Sequence, residues 1–245
     1  MLMEKPWQGR LIMPERRDAP SLPDVWSTAA AVFWKDLVIE ARRRQLLAGM
    51  LVFAVLILFI FNFALDLQVQ LRAELAAGIL WAAVIFSGAV GFQYSATVEQ
   101  QSGCMDGIRL APVRRSWIYL GKLLANLAFL LLMEALLLPA GAILFSVNLF
   151  HPLFLLVLVL GTIGYSAAGT LFASMSSRTA TREMMLPLLL FPLVVPLLIP
   201  AVQAGSSALQ GEPYAGLQSW VNLLIGYDML LLAASALMFE YVIEE

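Results

Sequence analysis

Six long apolar segments constrain this chain more than any other feature of its sequence. A helix needs about 20 apolar residues to cross a bilayer. Segments of about that length or longer occupy residues 45–65, 75–98, 117–146, 152–177, 184–204 and 220–239. The chain is 61% hydrophobic and 13% charged, and a soluble protein of this composition would expose large apolar patches. The sequence therefore predicts an all-α integral membrane protein with six transmembrane helices.

The N-terminal region divides into a polar tail and an amphipathic segment. Residues 1–27 mix both charge signs with four prolines and lack an apolar core, which predicts a disordered cytosolic tail rather than a signal peptide. In residues 28–46, Phe33 and Leu37 recur at helical spacing while Lys35 and Asp36 lie on another face. Such a helix is expected at the membrane interface as an elbow; alternatively it is only the start of the first span. Residues 28–245 are predicted to form one transmembrane domain.

Basic residues predict the orientation of the spans, because Lys and Arg concentrate in cytosolic loops. With a cytosolic N-terminus, eight lie on the inside before the first span, four between spans two and three, and two between spans four and five. Only Arg72, of the 15 basic residues, then lies outside. The predicted topology is therefore N-in and C-in.

The longest polar interruption after residue 47 is residues 98–117, between spans two and three. Residues 99–109 are predicted to form a short helix that ends before Pro112. Two glycines weaken it, so it needs a docking surface; a solvated loop is the alternative. As a coupling helix seated in a soluble partner, this segment would move the spans. Its candidate residues are Glu99, Gly103, Asp106, Gly107, Arg109 and Pro112, with Arg114 and Arg115 as anchors to anionic headgroups.

Two acids fall inside predicted spans, Glu134 in the third and Asp228 in the sixth. Such residues usually face a partner or a water-filled cavity, because a charge at the bilayer centre is costly. A proton or substrate contact is one interpretation. The other is a protonated or hydrogen-bonded packing group, with Tyr227 or Asn126 as the partner.

The fifth span is rich in proline, and the fourth in small residues. Pro187, Pro192, Pro196 and Pro200 each remove a backbone donor. They predict a bent or broken helix that lines a cavity, with the first three as functional candidates. In the fourth span, small residues predict close helix packing: Gly161, Gly164, Ser166, Ala168 and Gly169.

Motifs for catalysis or nucleotide binding are absent from the sequence. The single cysteine, Cys104, and the single histidine, His151, exclude an internal disulfide and a multi-ligand thiolate or histidine metal site. His151 could ligate a haem iron, or it is an ordinary loop residue. There is no phosphate-binding loop of the Walker type and no Gly-x-Ser-x-Gly. The sequence therefore predicts no catalytic residues, no bound metal and no nucleic-acid partner, and an energy source outside the chain.

The polar stretch and the third span together resemble ABC-2-type exporter permeases. The matching residues are Glu99 with Gly103, Leu110 to Pro112, and Gly121 with Lys122. More narrowly, residues 31–245 resemble the CcmB family of cytochrome c maturation haem exporter permeases. The segments that carry this resemblance are FWKDL at 33–37, GKLLAN at 121–126, GTIG at 161–164, ASMSSR at 173–178, LP at 186–187, FP at 191–192 with Pro196, YD at 227–228 and FEYVIEE at 239–245.

The resemblance implies a permease subunit of the bacterial inner membrane. ATP would be bound by a separate cassette subunit, CcmA-like, in a heterotetramer with two copies of each chain. Further partners would be a haem-handling protein, CcmC-like, and a haem chaperone, CcmE-like, with haem as cargo or on the released chaperone and no cofactor bound by this chain. The surface formed by the fifth span, with Glu134 and Asp228, would face a second copy or these components.

Three alternatives remain at this point. The chain could be an ABC-2 exporter for a lipid-linked glycan or a drug. It could be a proton-coupled secondary transporter that uses Glu134 and Asp228, although no internal repeat is visible. Least expected is an intramembrane enzyme with those two acids as a dyad, which requires them at one depth on facing helices.

Overall fold

The computed structural model describes residues 25–42, 44–65, 69–101, 115–176 and 182–244. These residues form seven helices and no strand. In chain order the helices are α1 Val25–Arg42, α2 Arg44–Ala64, α3 Val69–Gln101, α4 Arg115–Phe145, α5 Pro152–Ser176, α6 Arg182–Leu209 and α7 Tyr214–Glu244. Residues 25–27, the end of the predicted disordered tail, belong to α1, so the prediction was wrong there; for residues 1–24, which lie outside the described part of the chain, it stays a prediction.

Helices α2 to α7 are each long and apolar enough to cross a membrane, which confirms the six predicted spans. The candidate spans are Leu46–Ala64, Arg72–Thr97, Ser116–Phe145, Pro152–Met175, Leu186–Leu209 and Tyr214–Phe239. Most ends of the candidate spans lie within a few residues of the predicted ones. Hydropathy predicts them well because a segment in hydrocarbon must satisfy its own backbone hydrogen bonds and therefore forms a helix.

The core of the bundle is built around α3 and α5. Within the candidate spans, 72% of α3 and 67% of α5 are buried, against 22–39% for the other four. Helix α5 packs against α3, α4, α6 and α7, and α3 packs against α2, α4, α5 and α6. The central helices therefore present side chains to several neighbours at once, and the outer four leave much of their apolar surface for lipid or other protein.

Aromatic rings seated on glycines hold α3 and α5 together. Small residues let helix backbones approach closely, and here a ring from the opposite helix fills the space that each missing Cβ would occupy. The three contacts are Trp81 on Gly161, Tyr165 on Gly88 and Phe92 on Gly169. Residue numbers rise together along both helices, so α3 and α5 run parallel. The close packing predicted for the small residues of α5 is confirmed at Gly161 and Gly169.

Helix α1 covers the first turns of α4. A Cβ at Gly121 would meet Val32 Cβ at 2.7 Å and the carbonyl oxygen of Ala29 at 2.8 Å, so only glycine allows this approach. Further along α4 the two helices leave an apolar groove of about 400 Å³, lined by Ala29, Ala30, Phe33, Leu124, Leu127, Ala128 and Leu131. Lys35 and Asp36 form an ion pair at 2.9 Å on α1. The amphipathic segment is thus a helix seated on a span.

Candidate functional site within the bundle

One turn of α5, from Gly161 to Gly164, is surrounded by three buried polar side chains from three different helices. Trp81 of α3 lies on Gly161, and Asp228 of α7 lies against the position of a Cβ at Gly164. Glu134 of α4 reaches the residue between them, Thr162, whose hydroxyl lies 2.6 Å from Glu134 Oε1. The two acids predicted as intramembrane candidates therefore meet the same turn of the central helix.

The two acids lie at nearly the same depth but on opposite sides of α5. Thr162 and Gly164 are two residues apart, which is about 3 Å along the axis and roughly 200° around it. Glu134 therefore approaches α5 from the α4 side, and Asp228 from the α7 side. Their depth fits the dyad alternative, but the intervening helix separates the carboxyl groups, so they do not form a pair.

Both carboxyl groups are enclosed by protein. Glu134 is 2% exposed and Asp228 is 4% exposed. Glu134 Oε2, both oxygens of Asp228 and the indole nitrogen of Trp81 make no hydrogen bond to the part of the chain that the structure describes. Buried polar atoms are normally hydrogen-bonded, so this turn of α5 concentrates unsatisfied polar groups in an otherwise apolar bundle.

The hydrogen-bond partners predicted for the acids were wrong. Tyr227, next to Asp228, donates its hydroxyl proton to the carbonyl oxygen of Leu193 at 2.8 Å. Asn126 donates through Nδ2 to Thr170 Oγ1 at 2.9 Å. Both side chains thus bond to another helix, because adjacent residues point to different faces of a helix and Asn126 lies two turns from Glu134.

Helix α6 is continuous through all four of its prolines, so of the predicted bent or broken helix the break is wrong, while a bend stays a prediction. In a bundle without competing water, packing against neighbouring helices supports a helix that lacks some backbone donors. Pro192 and Pro196 are exposed, Pro187 is half-buried and Pro200 is buried. Helix α6 lines neither of two cavities in the described bundle. The groove between α1 and α4 is lined by those two helices, and a small cavity near Asn126 is lined by α2, α3 and α4.

The predicted coupling residues lie mostly outside the described part of the chain. Glu99 belongs to the last turn of α3, and Arg115 is the first residue of α4, but the structure does not describe their side chains. The remaining candidates, Gly103, Asp106, Gly107, Arg109, Pro112 and Arg114, all fall in the gap between residues 101 and 115. Their role stays a prediction.

Residues that could hold a metal ion do not cluster in the described ranges. Among these residues, no group of three or more His, Cys, Asp or Glu side chains lies together. His151 stands in the turn between α4 and α5, half-buried, where its backbone carbonyl accepts a hydrogen bond from Leu155 N. Nothing in the sequence marks Thr162 as the partner of Glu134 or places Trp81 at the same turn of α5, since neither residue type signals function alone.

Comparison with known proteins places the whole bundle in one family. The family model described as CcmB protein matches residues 27–243. A protein named Heme exporter protein B from Pseudomonas aeruginosa is 29% identical over 191 residues, covering 78% of this chain and 86% of the relative. The protein of that name from Haemophilus influenzae is 27% identical over 184 residues, covering 74% and 83%. The matched region contains all six candidate spans, and the chain therefore belongs to the CcmB protein family.

Proposed function

We propose that this multi-pass membrane protein is the permease subunit of an ABC transporter for cytochrome c maturation. The observation that carries the proposal is the family match over residues 27–243, joined to relatives named for haem export. ATP hydrolysis in a separate cassette subunit would drive export of haem or release of the haem-loaded chaperone. Haem is then either the cargo or the group carried by the released chaperone, and this chain carries no catalytic residue of its own.

The bacterial inner membrane is the proposed location, with both ends of the chain in the cytosol. The distribution of basic residues supports this topology, since Arg72 is the only Lys or Arg in a predicted outer loop. Helix α1 would be the interfacial elbow. It packs along the first part of α4, so any movement of that span would be shared with α1.

The segment after α3 is the proposed contact with the cassette subunit. Helix α3 runs to Gln101 and α4 begins at Arg115, so this short connection joins a central span to an outer one. A partner that pushes on the connection would act on α3 and α4 together. We propose that Glu99, Gly103, Asp106, Gly107, Arg109 and Pro112 form this contact, and that Arg114 and Arg115 bind anionic headgroups.

The exposed face of α6 is the proposed contact with a second copy of the chain or with the haem-handling components. Pro192 and Pro196 are exposed there. A proline removes the donor for the carbonyl four residues earlier, and such a carbonyl is costly to expose to hydrocarbon. Protein with hydrogen-bond donors would therefore cover this face better than lipid. In a heterotetramer of two such chains and two cassette subunits, the second copy of this chain would cover that face.

Deletion of the gene tests the proposal. We expect the deletion strain to lack covalently attached haem in its c-type cytochromes, measured by haem staining of membrane and periplasmic fractions. The chain, purified in mild detergent with an affinity tag, should bring a cassette ATPase with it. Expression of the protein from a plasmid is the control and should restore the cytochromes.

The other outcomes distinguish the alternatives. Normal c-type cytochromes with a co-purifying ATPase would contradict the role in maturation and favour an exporter for another cargo. Transport by the purified chain in vesicles with no ATPase bound would contradict the whole proposal. It would favour a proton-coupled transporter, for which the buried carboxyls of Glu134 and Asp228 are the supporting observation.

A further inference from the structure

The hydroxyl of Thr162 lies within hydrogen-bonding distance of two acceptors. Glu134 Oε1 is 2.6 Å away and the carbonyl oxygen of Leu158, one turn earlier on α5, is 2.8 Å away. A threonine hydroxyl carries one proton and can therefore donate to only one of them at a time. If Glu134 is ionised, either its carboxylate or the Leu158 carbonyl must go without this donor.

An ionised Glu134 would be poorly supported even when it receives that proton. Its second oxygen, Oε2, makes no hydrogen bond to the described residues, and the side chain is 2% exposed. A buried charge needs several donors or an opposite charge to offset its lost hydration. One shared hydroxyl does not meet that need.

No described cation lies near enough to compensate a charge at Glu134. Helix α4 packs against α1, α2, α3, α5 and α7. Lys122 lies 12 residues earlier on α4, which is about 18 Å along the axis. Lys35 of α1 is paired with Asp36, and Arg72 of α3 lies nine residues, about 14 Å, before Trp81. Residues 46–65, which include the membrane-spanning part of α2, contain no charged residue.

The tyrosines nearest to this turn of α5 do not supply a donor either. Tyr165, three residues beyond Thr162 on α5, donates its hydroxyl proton to the carbonyl oxygen of Ile85 at 2.6 Å. Tyr94 of α3 lies thirteen residues, about 20 Å, beyond Trp81. On α7, Tyr227 donates to Leu193, and Asp228 is itself an acid on the far side of α5.

We propose that Glu134 is a neutral carboxylic acid that donates its own proton to Thr162 Oγ1, while Thr162 donates to the Leu158 carbonyl. The proton of Glu134 and the hydroxyl proton of Thr162 then have one acceptor each, and both short contacts of Thr162 are hydrogen bonds at the same time. The neutral acid thus links α4 and α5 by an uncharged hydrogen bond. Glu134 therefore positions two helices and keeps its proton, whatever cargo the protein handles.

Infrared spectroscopy of the protein in lipid nanodiscs tests the proton on Glu134. The spectrum of Glu134→Gln is subtracted from that of the unmodified protein, in buffers from mildly acidic to neutral. We expect a carboxylic acid C=O band in the difference spectrum at every pH, with no carboxylate bands. Carboxylate bands in place of the acid band would overturn the proposal. Asp228→Asn is the control, and it should leave the Glu134 band in place.

A pair of substitutions at Thr162 tests the direction of the hydrogen bond. Thr162→Val keeps the shape of the side chain but removes the acceptor, so the acid C=O band should move to higher frequency. Thr162→Ser keeps the hydroxyl and should return the band to its original frequency. An unmoved band in Thr162→Val would show that the proton is not donated to Thr162. This pair remains informative if Glu134→Gln fails to fold, because selective ¹³C labelling of glutamate separates a glutamic acid band from that of Asp228, and only a band from Glu134 should respond to Thr162.

Discussion

Replacing Gly161 with leucine is expected to destabilise the bundle strongly. A Cβ at this position would meet Cζ2 of Trp81 at 2.5 Å, and Trp81 is fully buried between helices. The indole cannot move aside without displacing α3 from α5. Overpacking typically costs about 1–3 kcal/mol, and we expect at least the upper end here, a large part of the total stability of about 5–15 kcal/mol.

Fluorescence-detected gel filtration of a detergent-solubilised fusion protein measures the effect. The Gly161→Leu variant should give a smaller monodisperse peak and a much reduced melting temperature. Gly226→Leu is the matched control, because Gly226 is also inside a span but has no heavy atom within 4 Å of its Cβ position. If both variants behave like the unmodified protein, the ring contacts between α3 and α5 do not limit assembly.

Replacing Gly107 with proline is expected to abolish c-type cytochrome assembly while leaving the protein in the membrane. This expectation depends on the proposed coupling helix at residues 99–109. Proline costs about 3 kcal/mol relative to alanine in a helix interior, so a helix that is marginal alone should not form. The cassette subunit would then hydrolyse ATP without moving the spans.

The matched control for this experiment is Gly107→Ala. Alanine favours the helix by about 1 kcal/mol over glycine, so this variant should retain cytochrome assembly. The readouts are haem staining, the membrane level of the protein, and the ATPase activity of the purified complex. Full cytochrome assembly in Gly107→Pro, or an equal loss in Gly107→Ala, would contradict a helical coupling segment.

Hydropathy and periodicity predicted the six spans and the helix that precedes them, because both patterns follow from the solvent on each side of a helix. The burial of Glu134 and Asp228 was predicted for the same reason, since an acid in an apolar run must avoid lipid. Which side chain each acid meets could not be predicted. That choice depends on which helices are adjacent and on their register, which the ring–glycine contacts such as Trp81 on Gly161 determine only in the folded bundle.

The prolines of α6 show a second limit of sequence-based prediction. Each proline predicts a local loss of one backbone hydrogen bond, and four of them suggested a bend or a break. Helix α6 instead remains whole from Arg182 to Leu209 because α3, α5 and α7 pack along it. Local propensity is a weak guide where tertiary packing provides most of the support.

The position of α5 between the two carboxyl groups has a thermodynamic consequence. Glu134 belongs to the α4–α5 interface and Asp228 to the α5–α7 interface, with no shared partner and a helix of about 10 Å diameter between them. A double-mutant cycle of Glu134→Gln and Asp228→Asn should accordingly give a coupling free energy within about 0.5 kcal/mol of zero. Evolution or a protein engineer could then alter either residue without compensating at the other.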